Sequence, residues 1–172
     1  MSLIPFTYPL DAITLLRKKK AIRRELSAKG NLVDTRIAIL GGSTTAEIRD
    51  MLELFLLHAG FRPIFYESGY NRFYEEVMFA ESGLKQFGPE IIYIHTTSAN
   101  ILRFPAITDS SETIDTLLAE EMHRFTSVWQ RIAEEYNCPV IQNNFELPHY
   151  RILGNLDRYD RHGSAKDRKS VV

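Results

Sequence analysis

Three short polar stretches carry the side chains best suited to chemistry: Gly41-Gly42-Ser43-Thr44-Thr45, Glu67-Ser68-Gly69 and His95-Thr96-Thr97-Ser98-Ala99-Asn100. Ser43 is a candidate nucleophile for ester or acyl transfer, a reaction that needs a base to take the hydroxyl proton and donors for the developing oxyanion. Gly69 can offer a backbone N–H and Asn100 a side-chain amide, with Gly42 and Thr44 flanking the serine as substrate-binding candidates. The base is harder to place. His95 follows an apolar run directly, whereas His149 and His162 lie in a polar C-terminal stretch with Asp157 and Asp160 nearby. His58 and His123 fall inside helical patterns, where packing or solvation is the expected role. A plainer reading of Ser43, Thr44 and Thr45 is that their hydroxyls cap a helix start.

Other chemistries find less support. Five scattered histidines and the single Cys138 offer no metal-ligand spacing. Gly41-Gly42 lacks both the Walker lysine and the dinucleotide glycine spacing, so no cofactor is expected. At the start of a buried strand, Cys138 reads as packing rather than as a reactive thiol. The aromatic residues Tyr70, Phe73, Tyr74 and Phe79 lack the basic groove that single-stranded nucleic acid needs and read as core packing.

The elements that must position these residues follow from apolar periodicity. Arg36 to Leu40 is a short β-rich run that stops at the glycine pair, and a helical pattern occupies about Ile48 to His58 before Gly60 ends it. Phe61 to Tyr66 supplies a second strand, Ile91 to Ile94 a third, and Cys138 to Gln142 a fourth. Gly83 to Pro89 is expected to turn the chain. Between the third and fourth strands, a helix from about Glu112 to Tyr136 carries Ile114, Leu117, Leu118, Met122, Phe125, Trp129 and Ile132. Upstream, Asp11 caps a helix from about Ala12 to Ala28 with Ile13, Leu16, Ile22 and Leu26 as its apolar stripe and Gly30 as its C-cap. Strand alternating with helix predicts a parallel sheet. All three polar stretches then lie along one edge of it, where open α/β sheets bind ligands.

With 172 residues, 44% hydrophobic and 25% charged, the chain suits one domain with a substantial core. A net charge of −1 recruits neither nucleic acid nor a membrane surface, so partners must be argued locally. The local exception is Arg17-Lys18-Lys19-Lys20 with Arg23 and Arg24, which can dock an acidic partner or a phosphate or be a solvated helix face. With no signal-peptide layout, no bilayer-length apolar run and one cysteine, the expected compartment is the cytoplasm. Residues 1–30 read as a leader and basic helix, 31–156 as the α/β domain and 157–172 as a polar tail.

Leu40-Gly41-Gly42-Ser43-Thr44-Thr45 after a strand and Gly69 after the next resemble the SGNH (GDSL-type) hydrolase fold. More closely, the series Leu10-Asp11-Ala12, Leu15-Leu16-Arg17-Lys18, Ile22-Arg23-Arg24-Glu25-Leu26, Ile37 to Thr45, Tyr66-Glu67-Ser68-Gly69-Tyr70, Gln142 to Pro148 and Ile152-Leu153-Gly154-Asn155-Leu156 is similar to the N-terminal region of FkbH-like proteins. The resemblance covers most of residues 10–156. It implies a neighbouring phosphatase domain of the haloacid-dehalogenase type and a place in polyketide or polysaccharide biosynthesis. There, some members load glyceryl units onto an acyl carrier protein. The phosphatase half depends on an Asp-x-Asp motif that this chain lacks, so phosphoryl chemistry is not assigned to it.

Within the SGNH pattern, Gly42 stands in place of the family aspartate and Asn100 falls a few residues late for the oxyanion block. Asp160-Arg161-His162 lacks the Asp-x-x-His spacing, and a complete fold would add a fifth strand before that dyad. The expectation is therefore a three-layer α/β/α, flavodoxin-like domain with a mostly parallel sheet lacking its last strand. Two functions are in view. One is acyl transfer through Ser43 with His162 or His95 as base and an ester or acyl substrate. The other is a non-catalytic docking domain inactive alone.

Overall fold

The computed structural model describes residues 6–79, 83–146, 151 and 153–163. Strands β1 (Val33–Gly41), β2 (Phe61–Glu67), β3 (Ile91–His95) and β4 (Val140–Gln142) form one sheet of order β2-β1-β3-β4, with every pair parallel. Helices α1 (Ala12–Ser27), α2 (Ala46–Ala59), α3 (Phe73–Met78), α4 (Gly83–Phe87) and α5 (Ser111–Glu135) surround it. No fifth strand follows β4 among the described residues. The chain has the three-layer, flavodoxin-like architecture that the alternation of strands and helices predicts.

The layers follow from the two-residue period of a strand. Ala38, Leu40, Ile92 and Ile94 face one way, into a core closed by Phe73, Val77, Leu84, Phe125, Val128 and Ile132 from α3, α4 and α5. Ile37 and Ile39 point to the opposite face and are also buried, as a central parallel strand requires. On that side α2 packs beside β2, and Leu54 and Leu57 of α2 meet Leu15, Ile22 and Leu26 of α1. Asp11 caps α1 by accepting from Thr14 N at 3.0 Å, and Ser110 caps α5 by accepting from Thr113 N at 3.2 Å. Gly60 ends α2 in the left-handed region at φ 95°, a conformation that suits a residue without Cβ.

Several boundaries and faces differ from the sequence reading. α2 begins at Ala46, two residues before the apolar pattern, because a first turn faces solvent and needs no apolar residue. The C-cap of α1 is Ala28 and not Gly30. Its buried stripe is Leu15, Ile22 and Leu26, whereas Ile13 and Leu16 are exposed. Ile13 and Leu16 lie on the side of the helix turned away from α2, which the apolar count alone does not reveal. Gly83 to Pro89 turns the chain by way of the short helix α4. Of the four aromatic residues at 70–79, Phe73 is buried and Tyr74 packs against the core, but Tyr70 and Phe79 are exposed. No helix among the described residues is long and apolar enough to cross a membrane.

Candidate functional site

The strand order reverses direction between β1 and β3, which makes the carboxyl ends of these two strands the switch point of the sheet. Gly41 pairs with His95 in the β1–β3 register, so the polar stretches after both strands start level with each other. Two hydrogen bonds then fasten the end of β1 to its neighbours: Gly41 N donates to Ser68 Oγ at 2.8 Å, and Gly42 N donates to the His95 carbonyl at 2.7 Å. Ser68 N donates in turn to the Ile39 carbonyl at 3.0 Å, carrying the β1–β2 pairing beyond β2. The three polar stretches are thus joined by their own backbone and hydroxyl groups.

Asn100 is the centre of this arrangement. It ends a single 3-10 turn, Ser98–Asn100, that Thr97 caps, and it is buried. Its Oδ1 accepts from Thr97 N at 2.7 Å, while its Nδ2 donates to the Gly42 carbonyl at 2.8 Å and to Asn71 Oδ1 at 2.9 Å. An amide NH₂ has two hydrogens, and both are engaged. A Cβ on residue 42 would come within 2.6 Å of the Asn100 Cγ and Nδ2, so only glycine admits this side chain. Gly42 is therefore matched by an asparagine that occupies the space a side chain there would need.

Two further residues hold Asn100 in place, and neither is evident from the sequence. Asn71 adopts φ 54°, a left-handed conformation that asparagine tolerates better than most residues, and this carries its side-chain oxygen to Asn100. Arg124 of α5 donates to the Asn100 carbonyl at 2.6 Å and pairs with Glu121. Its guanidinium lies 4.6 Å from the Phe125 ring centroid and 5.4 Å from that of Phe73. An asparagine soon after a glycine is a weak turn signal. A charged i, i+3 pair beside the buried stripe of α5 gives none for a contact to a loop distant in sequence.

Ser43 follows at once. It is half-buried, and its hydroxyl has no hydrogen-bond partner among the described residues. Thr44 is exposed. Thr45 is the N-cap of α2 but makes no side-chain capping bond; its hydroxyl is turned to β2, where it donates to Glu67 Oε2 at 3.1 Å. The first-turn N–H groups of α2 therefore lack a side-chain cap. Gly69 is exposed, and its carbonyl accepts from Arg72 N at 3.1 Å.

The candidate bases lie elsewhere. His95 Nδ1 is 3.1 Å from the Tyr93 hydroxyl, two residues back along β3, and neither ring nitrogen is bonded to Ser43. His162 Nδ1 faces Asp160 Oδ1 at 2.7 Å and Nε2 faces the Asp109 carbonyl at 3.0 Å. Both partners of the His162 ring are acceptors, so the protonated ring satisfies both at once. The Asp109 carbonyl, then Asp160, raise its pKa above the usual 6.5. Both ring nitrogens are thus engaged by Asp160 and Asp109, and neither is bonded to Ser43. His149 lies outside the described residues. His58 is exposed and stacks on Phe6 at 4.3 Å, and His123 is exposed on α5.

The fourth strand closes the far side of the site. Asn143 continues the β3–β4 ladder through its side chain, accepting from Thr96 N at 2.9 Å and donating to the Thr96 carbonyl at 2.7 Å. Gln142 bridges Trp129 Nε1 at 2.6 Å and Thr96 Oγ1 at 3.0 Å, and Glu146 accepts from both N and Oγ of Ser98. The Gln142 to Glu146 stretch thus has structural work at the site edge. Burial pushes the Cys138 thiol up, in keeping with a packing role. No group of three histidine, cysteine, aspartate or glutamate side chains among the described residues is arranged to hold a metal ion.

No family model matches the chain, and no curated protein matches it. Its fold is similar to that of the N-terminal part of the protein BF1531 from Bacteroides fragilis, a crystal structure containing a phosphatase domain and complexed with Mg. The TM-score is 0.68 at 17% sequence identity, over 89% of this chain and 40% of that one. The likeness establishes a shared fold, and the chain spans less than half the length of that structure.

Proposed function

We propose that this chain is a recognition domain of the FkbH-like type, which holds an acyl- or ester-bearing partner at the carboxyl edge of its sheet without breaking the ester itself. The observation that carries this reading is the state of Asn100. Both of its amide hydrogens are committed to Gly42 and Asn71, so the side chain expected to stabilise an oxyanion instead braces the loop that presents Ser43. Ser43 has no histidine within hydrogen-bond reach among the described residues. Without its base and one oxyanion donor, a serine site loses on the order of 10⁴-fold or more in rate. Ser43 Oγ and the uncapped first turn of α2 remain able to donate to a ligand oxygen.

One likeness in sequence and one in fold support the wider setting. The motif series shared with FkbH-like proteins suggests work beside a phosphatase domain in polyketide or polysaccharide biosynthesis, and BF1531 shows this fold in a chain that contains a phosphatase domain. An acyl carrier protein is the partner such a setting brings to the sheet edge.

Acyl transfer through Ser43 is the second reading. It is favoured by one feature, an unengaged serine hydroxyl at the switch point of the sheet. Turnover of p-nitrophenyl acetate and of an acyl thioester by the wild-type chain and by Ser43→Ala separates the two readings. Recognition predicts equal, background rates. Turnover that disappears with Ser43→Ala would establish catalysis.

A further inference from the structure

The six cations of α1 divide into two sets with different surroundings. Lys19 Nζ lies 2.7 Å from Asp50 of α2, and Arg23 pairs with Asp50 at 3.3 Å and Glu53 at 2.8 Å. These two run alongside the buried residues Leu15, Ile22 and Leu26 and fasten α1 to α2. Arg17, Lys18, Lys20 and Arg24 are exposed and have no ion-pair partner among the described residues.

Helical spacing sorts the exposed set further. Ile13, Leu16, Arg17, Lys20 and Arg24 recur at i, i+3, i+4, i+7 and i+11, which places them on one face. That face is opposite the buried stripe. Ile13 is 64% exposed and Leu16 55% exposed, so the N-terminal half of the stripe is apolar and the rest is cationic. A solvated helix face needs no exposed isoleucine and leucine beside its charges. A nucleic acid gains little from two aliphatic side chains, and a membrane-bound helix has a far wider apolar face than these residues provide.

We infer that the outer face of α1 is a docking surface for an acidic amphipathic helix of a partner protein, whose apolar residues seat on Ile13 and Leu16 while its carboxylates meet Arg17, Lys20 and Arg24. The inference rests on the recognition reading and names where, and by what chemistry, a partner is held. It does not involve Ser43. Helix-on-helix docking of this kind takes its affinity from the apolar anchor and its selectivity and salt dependence from the charges.

The test uses the whole chain and a fluorescent helical peptide of about 20 residues, long enough to hold helix, with glutamates flanking a leucine stripe. Anisotropy is read at ~50 and ~200 mM salt. The expected result is binding that weakens with salt and falls about tenfold or more in the variant Arg17→Glu/Lys20→Glu/Arg24→Glu, with Lys85→Glu as an unaffected control. Replacing the peptide's leucines by serine, or Leu16→Ser in the chain, is expected to weaken it as well. Circular dichroism confirms that the variants fold, since none of the altered residues is buried. Equal binding by the charge-reversed chain, equal binding by the serine peptide, or no binding at all would each overturn the surface. So would tighter binding of phosphatidylserine vesicles or duplex DNA than of the peptide, or self-association that the charge reversal abolishes. A failure here alongside Ser43-independent background turnover leaves the sheet-edge reading standing, whereas Ser43-dependent turnover overturns the sheet-edge reading whatever the peptide does.

Discussion

Asn100 occupies the space that a side chain on residue 42 would need: its Nδ2 donates to the Gly42 carbonyl at 2.8 Å, and its Cγ and Nδ2 lie 2.6 Å from where a Cβ would stand. One residue being glycine and the other asparagine is a single structural choice made at two positions 58 apart in sequence. It joins the turn after β1 to the turn after β3 and fixes the direction in which the chain leaves for Ser43.

Gly42→Ala is therefore expected to destabilise the domain by about 2 kcal/mol, the usual range for overpacking a closed site. Asn100→Ala alone leaves the Gly42 carbonyl and Thr97 N–H short of a partner and is expected to cost about 1–3 kcal/mol. The double variant relieves the overlap, so urea denaturation of the four-member cycle should show a coupling of about 1 kcal/mol or more. Strict additivity would mean that the two residues do not share this space.

Asn71 holds φ 54° while accepting from Asn100, and the two features oppose each other in a substitution. Asn71→Gly eases the backbone but removes the acceptor, and Asn71→Ala loses both. Alanine is expected to be the more destabilising by about 1 kcal/mol in thermal or urea unfolding. Equal losses in the two variants would show that the hydrogen bond, which both remove, and not the backbone, sets the requirement at this position.

Asp50 accepts from Lys19 and Arg49 and lies 3.3 Å from Arg23, and these cations, Lys19 first, hold its carboxyl at about 2. A depressed carboxylate contributes stability that is present above the unfolded value of 3.8 and is lost as pH falls through the folded one. Acid unfolding followed from pH 5 to about 2 should show a loss in wild type that Asp50→Asn lacks over the same window. At neutral pH, Asp50→Ala should cost about 2 kcal/mol, because it leaves several partly buried cations without their common acceptor. Parallel acid profiles for wild type and Asp50→Asn would contradict this role.

His162 bridges Asp160 and the Asp109 carbonyl, with the pKa raised. A raised histidine contributes stability that is full below the unfolded value of 6.5 and is lost as pH rises through the folded one. An NMR titration of the ring should give a midpoint above 6.5. The attachment of the Gly154–Arg158 turn to the start of α5 should loosen as pH rises beyond that midpoint. A midpoint at or below 6.5 would mean that these two acceptors do not favour the charged ring.

The layers were legible because their signals are local. Ile91 to Ile94 is a continuous apolar run, Gly60 stops a helix, and the α5 stripe repeats at helical spacing, so strand, helix and parallel order followed without tertiary information. The meeting of three polar stretches was also readable, since it needs only parallel strands. What sequence did not reveal are contacts between elements. Ile13 and Leu16 looked like core because they are apolar, yet the position of α2 decides which face of α1 is buried. Thr45 looked like a cap, but Glu67 on the neighbouring strand takes its hydroxyl. Asn100 looked like a free donor, and only the approach of Gly42 and Asn71 shows that its amide is engaged.

If Ser43 lies at a ligand-holding edge without activation, a reagent that needs an activated hydroxyl leaves it unmodified. Intact-protein mass spectrometry after incubation with a fluorophosphonate, which modifies serines whose hydroxyl is activated by a base, tests this most directly. The expected result is an unmodified mass for wild type, indistinguishable from Ser43→Ala. Stoichiometric addition to wild type that Ser43→Ala abolishes would contradict it and identify this domain as a serine-dependent acyl-transfer enzyme.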